Sequence, residues 1–281
     1  MEKLTLECRA KINLAIDVLR KREDGYHDVE MILKEIALSD RMTLTLRTDG
    51  KIVISSDSAA LPLGEGNLAY RAARLFFEHL GRTEGVEIHI EKRIPMGAGL
   101  GGGSADAAGV LKGLNAIFGN PFDVDALLRL GARLGSDVPF CVLGGCAKAT
   151  GIGDILTPLP MPPALHCVIA KPEPFVSTKW VYENLDLSKR PDGLNVSEVA
   201  EGIRHGDLSA ICQNAANILE TVTIPAYPIV GWIKEAFLES GAVLSLMSGS
   251  GSAVFGLFTT QQKAKDGVTQ AKQYTDTVLI V

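Results

Sequence analysis

Residues 95–108 form a glycine-rich stretch that restricts the possible folds and functions more than any other part of the sequence. It reads Pro-Met-Gly-Ala-Gly-Leu-Gly-Gly-Gly-Ser-Ala-Asp-Ala-Ala. Glycine adopts positive φ easily and lets a ligand approach the backbone closely. The small residues after Ser104 predict a helix, and the first N–H groups and the positive dipole end of a helix attract anions. The stretch therefore predicts an anion site, most simply for the phosphates of a nucleotide.

A flexible linker is the alternative explanation for so many glycines. Linkers are polar and lack periodic flanks. Here Val86, Ile88 and Ile90 alternate with polar residues before the stretch, as in a half-buried strand, and Leu111 and Leu114 recur at helical spacing after it. The periodic flanks favour an ordered loop between a strand and a helix over a flexible linker.

Composition excludes several classes of function. The net charge is −5, from 28 basic and 33 acidic residues, which argues against a nucleic-acid or anionic-membrane surface. No long apolar run and no basic, apolar leader are visible in the sequence. We therefore expect a cytoplasmic protein without nucleic-acid or membrane partners.

The cysteines and histidines predict neither a disulfide framework nor a protein-only metal site. The five cysteines are odd in number and never form a Cys-x-x-Cys pair, and the five histidines never recur at ligand spacing. We expect reduced, buried thiols. If a metal takes part, it is magnesium carried by nucleotide phosphates.

The N-terminal residues 4–18 alternate between apolar and polar side chains and predict an unusually long strand or a bent pair of strands. Lys11 and Asn13 then share one face. Lys11 is either a solvated charge or a functional cation, and its small neighbours favour the second interpretation. The charged loop at 20–28 presents Tyr26 and His27 together, as a surface turn or as part of a site.

The rest of the chain predicts mixed strands and helices, an α+β pattern. A hairpin is expected from 42–46 and 52–54, and helices from Asn67 to about 80 and from the cap residue Asp123. Asp137 follows a helix end and is either a turn former or a functional carboxylate. Residues 248–252, Ser-Gly-Ser-Gly-Ser, form either a hairpin turn or a ligand loop. The proline-rich stretch 158–163 predicts a boundary between domains 1–157 and 158–281.

Other phosphate-binding motifs fit poorly. Gly97-x-Gly99-x-x-Gly102 matches the dinucleotide fingerprint, but the preceding strand alternates and no acid ends a second strand about 20 residues later. A P-loop lysine and the protein-kinase signatures are also missing from the sequence.

The stretch instead resembles the signature Pro-x-x-x-Gly-Leu-Gly-x-x-x-Ala of the GHMP small-molecule kinases, at Pro95–Ala105. The other two motifs of that family are similar to Ala10–Leu14 and Ser248–Ala253, in the same order. The resemblance covers essentially the whole chain. It implies a two-domain fold, in which the N-terminal domain contains a left-handed βαβ crossover and the C-terminal domain is ferredoxin-like, with the active site in the cleft between them. The handedness follows from the resemblance alone.

The resemblance also implies ATP-dependent phosphorylation of an alcohol, with Asp137 as the base and Lys11 as its cationic partner. It places the ATP phosphates on the glycine-rich loop and the adenine near Asn67 and Lys92. The loop residues implied are Pro95, Gly97, Gly99, Leu100, Gly101, Gly102, Gly103 and Ser104.

Within the family, the motifs around Lys11, Arg22–His27 and Gly135–Pro139 are similar to the branch that phosphorylates a cytidine diphosphate-linked methylerythritol for non-mevalonate isoprenoid synthesis. This likeness implies that His27 hydrogen-bonds the cytosine and that Tyr26 stacks on it. Asn13 would orient the substrate, and Thr178 and Tyr182 would complete the binding site. Alternatives are a GHMP kinase for mevalonate, homoserine or a sugar, and a non-catalytic nucleotide-binding member. The sequence leaves a monomer or a homodimer open.

Overall fold

The computed structural model describes residues 2–281 and divides into two units that are interleaved along the chain. Unit 1 contains the chain up to Lys11, Glu35–Met96 and Gly101–Gly144. Unit 2 contains Ile12–Lys34, Gly97–Leu100 and Gly145–Val281. This division differs from a single cut after residue 157, which stays a prediction.

The secondary structure is mixed, as the sequence predicts. The strands are β1 (Lys3–Lys21), β2 (His27–Arg47), β3 (Ile52–Ser56), β4 (Gly85–Glu91), β5 (Cys146–Thr150), β6 (Ile155–Leu159), β7 (His166–Ala170), β8 (Leu244–Met247), β9 (Val254–Phe258) and β10 (Val278–Ile280). The helices are α1 (Leu68–Leu80), α2 (Gly102–Ile117), α3 (Val124–Ala132), α4 (Val138–Leu143), α5 (Thr178–Glu183), α6 (Val196–His205), α7 (Leu208–Asn214), α8 (Glu220–Ala226), α9 (Pro228–Glu239) and α10 (Gln261–Ala271). A short 3-10 turn covers Leu187–Lys189.

Unit 1 contains a βαβ motif made of β3, α1 and β4. The strands β3 and β4 are parallel neighbours, and the other edge of β4 pairs antiparallel with the second half of β2. The hairpin predicted from residues 42–46 and 52–54 is therefore wrong, because β4 lies between those two strands. An alternating pattern identifies a strand but not its partner.

Unit 2 contains a four-stranded antiparallel sheet in the order β10-β7-β9-β8. The chain passes from β7 through α5–α9 to β8 and β9, and through α10 to β10. This is the β-α-β-β-α-β connectivity of a ferredoxin-like domain, so that prediction is confirmed. In the same unit, the first half of β2 pairs with β5, and β5 pairs with β6.

Strand β1 confirms the long N-terminal strand but is more buried than an alternating strand requires. Its apolar residues from Cys8 to Val18 lie in the core, and Lys11, Asn13 and Asp17 on the other face are also buried. Burying a polar group is costly unless it is hydrogen-bonded or paired. These three side chains therefore need partners, and two of them were predicted site residues.

Helix α2 lies unusually close to β1 because position 109 is a glycine. A Cβ at Gly109 would lie 2.3 Å from Cys8 Sγ, whereas a Cβ at Gly103 would make an ordinary 3.7 Å contact with Leu68. Cys8 is buried, in keeping with the prediction of reduced, buried thiols. The close packing fixes the helix that follows the glycine-rich stretch against the strand that carries Lys11.

We predict that Gly109→Ala lowers the free energy of unfolding by about 1–3 kcal/mol, the usual cost of overpacking. Urea unfolding of the variant measures this. Gly103→Ala is the matched control on the same helix and should be neutral or stabilising, because alanine favours a helix by about 1 kcal/mol over glycine. The double variant Cys8→Ala/Gly109→Ala should recover stability relative to Gly109→Ala. A single variant as stable as wild type would contradict this packing.

Candidate active site

Lys11 and Asp137 form an ion pair in unit 1. Lys11 Nζ lies 3.4 Å from Asp137 Oδ2, with the lysine side chain 4% exposed and the aspartate side chain 30% exposed. Asp137 occupies the N-cap position of α4, where its side chain makes no capping hydrogen bond to the described residues. A buried ammonium thus holds a carboxylate that still reaches solvent. Such a pair can accept a proton from a small molecule and stabilise negative charge beside it.

The N-terminus of α2 lies directly beside this pair. Gly101 caps the helix with φ of 72°. A Cβ there would come within 3.0 Å of Lys11 Cγ, so only glycine lets the helix start this close to the lysine stem. The next residues, Gly102, Gly103 and Ser104, are uncharged and contribute the first N–H groups of the helix. Unit 1 therefore combines a cation, a helix N-terminus and a carboxylate in one place, which suits a phosphate group.

The first half of the glycine-rich loop, Gly97–Leu100, belongs to unit 2 and is fixed by the loop at 248–252. Ser248 Oγ donates to Gly99 O at 2.9 Å, and Ala253 N donates to Ala98 O at 3.2 Å. A Cβ at Gly99 would lie 2.0 Å from Ser248 O. Leu100, the next residue of the loop, is buried. The two backbones thus lie as close together as glycine permits.

The loop at 248–252 connects the antiparallel neighbours β8 and β9, so the hairpin interpretation is confirmed. Its serine hydroxyls also bind other segments of unit 2. Ser250 Oγ lies 2.8 Å from Thr178 Oγ1, and Ser252 Oγ donates to the carbonyl of Pro174 at 2.6 Å. These contacts hold the start of α5 and the segment before it. A ligand role for the loop stays a prediction.

His27 and Tyr182 bring two aromatic rings together in unit 2, and Tyr26 directly precedes His27 in the chain. Salt bridges from Arg22 to Asp24 and Asp28 stiffen the loop that presents Tyr26, whose side chain is largely exposed. The rings of His27 and Tyr182 lie 5.1 Å apart at an angle of 41°. The sequence predicted Tyr182 less specifically than Tyr26 or His27. Its position in α5 nevertheless places its ring against His27.

The surroundings of His27 lower the pKa of its imidazole and so favour the neutral form. Burial, and to a lesser degree the positive charge of Lys21, lowers the pKa of this imidazole below its ordinary value. A neutral imidazole offers one hydrogen-bond donor and one acceptor. Asn13, also in unit 2, is buried on β1 and donates to Met31 Sδ at 3.6 Å.

Asn67 and Lys92, the two residues expected near the adenine, both make strong contacts within unit 1. Asn67 Oδ1 caps α1 by accepting from Ala69 N at 2.8 Å, and its Nδ2 donates to Pro62 O at 2.7 Å. Lys92 Nζ donates to the carboxylates of Asp40 and Asp106. The adenine role of both residues stays a prediction.

Sequence reasoning missed Asp40 and Asp106. Asp106 lies inside the glycine-rich motif and could have been noticed as an acid within a small-residue helix. Asp40 lies in β2 with no local signal. Burial raises the pKa of Asp106 to about 7, although Lys92 opposes this shift. The two carboxylates in turn raise the pKa of Lys92 above its ordinary value, against the effect of its burial.

The raised pKa of Asp106 predicts a pH-dependent stability. Because the folded pKa of about 7 lies above the reference value of 3.8, the folded state binds this proton more tightly than the unfolded state. The resulting stabilisation is full below pH 3.8 and is lost as the pH rises through 7. Asp106→Asn cannot titrate, so its melting temperature relative to wild type should be higher at pH 8 than at pH 5. An equal difference at both pH values would contradict the shift.

Residues 2–281 contain no group of three or more histidines, cysteines or acids that could hold a metal ion. Over the same described residues, no helix is long and apolar enough to cross a membrane.

Comparisons with known proteins agree with the resemblance to the GHMP kinases. Residues 67–145 match the family model described as GHMP kinases N terminal domain, and residues 199–275 match GHMP kinases C terminal. The 4-diphosphocytidyl-2-C-methyl-D-erythritol kinase of Alkaliphilus metalliredigens is 47% identical over 94% of this chain and 91% of its own. A crystal structure of 4-(cytidine 5'-diphospho)-2C-methyl-D-erythritol kinase is 34% identical, with a TM-score of 0.83 over 99% of this chain and 98% of its own. Homoserine kinase from Cytophaga hutchinsonii, at 24% identity, shares the fold with a TM-score of 0.77 over 100% of this chain and 94% of its own.

Proposed function

The chain belongs to the 4-diphosphocytidyl-2-C-methyl-D-erythritol kinases of the GHMP kinase family, and we propose that it transfers the γ-phosphoryl group of ATP to the 2-hydroxyl of that cytidine-linked erythritol. This step belongs to the non-mevalonate isoprenoid pathway. The observation that carries the proposal is the 3.4 Å pair of Lys11 and Asp137 at the N-terminus of α2.

Phosphoryl transfer requires positioning, positive charge and an acceptor for one proton. Asp137 takes the proton from the attacking hydroxyl, and its partly exposed carboxylate leaves room for a substrate to approach. Lys11 stabilises negative charge on the carboxylate and on the transferred phosphoryl group. The loop Pro95–Ser104 binds the ATP phosphates through the backbone N–H groups of Gly97–Ser104. Asn67 and Lys92 are proposed at the adenine end.

Magnesium enters with the nucleotide in this proposal. Its carriers would be the nucleotide phosphates, whose oxygens are the hard ligands that magnesium prefers. Magnesium bound to the phosphates supplies further positive charge to the transferred group. The protein contributes the fixed helix N-terminus and Lys11.

Cytosine recognition is proposed for the aromatic residues of unit 2. Tyr26 stacks on the base, the neutral His27 hydrogen-bonds to its edge, and Tyr182 adds a second ring. Asn13 and Thr178 orient the rest of the substrate.

Another GHMP kinase activity is the main alternative. Mevalonate, homoserine and sugars have no base to stack, so they give Tyr26 and His27 nothing to bind. A non-catalytic member has no need of a Lys11–Asp137 pair. We propose a cytoplasmic monomer or homodimer with an N-terminal ATP-binding domain and a C-terminal substrate domain. The net charge of −5 supports a protein without nucleic-acid or membrane partners.

We predict that Asp137→Asn and Lys11→Met each reduce kcat by roughly 10²-fold or more, the scale of lost acid–base catalysis, while ATP still binds. A coupled assay of ADP formation with the proposed acceptor measures kcat. Asp123→Asn is the matched control, because it changes another N-cap carboxylate of unit 1 to a residue that caps equally well. Near-normal turnover in both site variants would overturn the catalytic assignment.

We predict that Tyr182→Ala and Tyr26→Ala each raise KM for the cytidine-linked acceptor by roughly tenfold, since one base–aromatic stack contributes about 1–3 kcal/mol. KM for ATP should not change. Tyr274→Ala removes another partly exposed ring of unit 2 and serves as the control. Replacing cytosine by uracil in the acceptor should raise KM in the wild type. An enzyme indifferent to the base would point to a different acceptor.

A further inference from the structure

Three ionisable side chains are buried together in unit 1, in addition to the Lys11–Asp137 pair. Lys92 is 6% exposed, and its partners Asp40 and Asp106 are 0% and 1% exposed. The desolvation of buried ions is expensive and often cancels their attraction. Such a group is therefore weak evidence for stability, and its place in the fold points to another role. We name Asp40, Lys92 and Asp106 the flank cluster.

Asp40 fixes the segment that enters the glycine-rich loop. Its Oδ1 accepts hydrogen bonds from the backbone of Arg93 at 2.6 Å and of Ile94 at 2.8 Å, and its Oδ2 accepts from Lys92 Nζ. These are the three residues directly before Pro95. One carboxylate of β2 thus holds the entire approach to the loop.

Asp106 fixes the helix that leaves the loop. It lies near the start of α2 and accepts from Lys92 Nζ at 2.9 Å. The entering segment also packs against the first residue of that helix, since a Cβ at Gly102 would lie 3.1 Å from Ile94 Cγ2 and 3.6 Å from Lys92 Nζ. A single ammonium therefore links the segment before the loop to the helix after it.

We infer that the flank cluster positions the two ends of the glycine-rich loop, so that the backbone N–H groups at the start of α2 are preorganised for the nucleotide phosphates. Lys92 does this through its hydrogen bonds to Asp40 and Asp106, in addition to its proposed place near the adenine. The inference deepens the proposed function, on which it rests for the identity of the ligand.

The flank cluster has two titratable neighbours, and it is tightly packed. Cys8 on β1 faces it, with a pKa raised by burial and by the charge of Asp106, and Lys112 contributes positive charge from α2. Asp106 Oδ1 is buried without a hydrogen-bond partner among the described residues. A buried oxygen without a hydrogen-bond partner costs stability, so the flank cluster is not arranged for stability alone.

The test is a double-mutant cycle of Lys92→Met and Asp40→Asn, with ATP binding measured by calorimetry without acceptor, and kcat and KM measured with it. Both single variants should weaken ATP binding and raise KM for ATP by roughly ten- to a hundredfold, the scale of a misplacement of about 1 Å. The kcat should change much less. The double variant should bind ATP about as weakly as the single variant with the lower ATP affinity, because the two residues act as one unit.

Asn115→Ala is the control for mere destabilisation. Asn115 is buried at the other end of α2 and exchanges two hydrogen bonds with Phe122. Its removal should lower the melting temperature and leave ATP binding unchanged. If Lys92→Met leaves two carboxylates too close to fold, Lys92→Met/Asp106→Asn relieves that repulsion and should still bind ATP weakly.

Two results would overturn the inference. If Asp40→Asn binds ATP as wild type does and only Lys92→Met is impaired, Lys92 contacts the nucleotide directly. If Asn115→Ala weakens binding in proportion to its loss of stability, the cluster is only structural. A wild-type protein that binds ATP but does not phosphorylate the cytidine-linked acceptor would contradict the proposed function, and the binding cycle would still decide the inference.

Discussion

A lysine ammonium buried beside a carboxylate is the interaction on which the candidate site depends. Lys11 lies in a strand covered on both faces, and Asp137 supplies the neighbouring negative charge. An unpaired buried cation would cost several kcal/mol, and the carboxylate of Asp137 offsets part of that cost. The same cation stands at the N-terminus of a helix, where negative charge is favoured. A phosphoryl group is the ligand that both features attract.

Close backbone packing around that interaction sets most of the local structure. Gly101 lets α2 begin against the stem of Lys11, and Gly109 lets the helix continue against Cys8. In unit 2, Gly99 allows the first half of the loop to lie on Ser248. The glycines therefore do more than give flexibility. Each stands where a second segment approaches the backbone too closely for a side chain to fit.

The sequence predicted local features well and partners less well. The long strand β1, the cap of α1 by Asn67 and the helix after the glycine-rich loop follow from periodicity and capping, which are local effects. The hairpin was wrong because strand pairing depends on residues far apart in the chain, here β4. Asp40 escaped notice for the same reason: its partners at 92–94 come about 50 residues later, and no local pattern signals such a contact. The roles of Lys11 and Asp137 came from a resemblance, and the structure adds their distance.

The fate of the γ-phosphate tests the proposed phosphoryl transfer most directly. Incubation with magnesium, ATP and the cytidine-linked methylerythritol can be followed by phosphorus NMR, which separates a phosphomonoester from inorganic phosphate. We expect one new phosphomonoester on the 2-hydroxyl for each ADP formed. Formation of ADP with inorganic phosphate and no phosphomonoester, or no turnover of the acceptor, would contradict it.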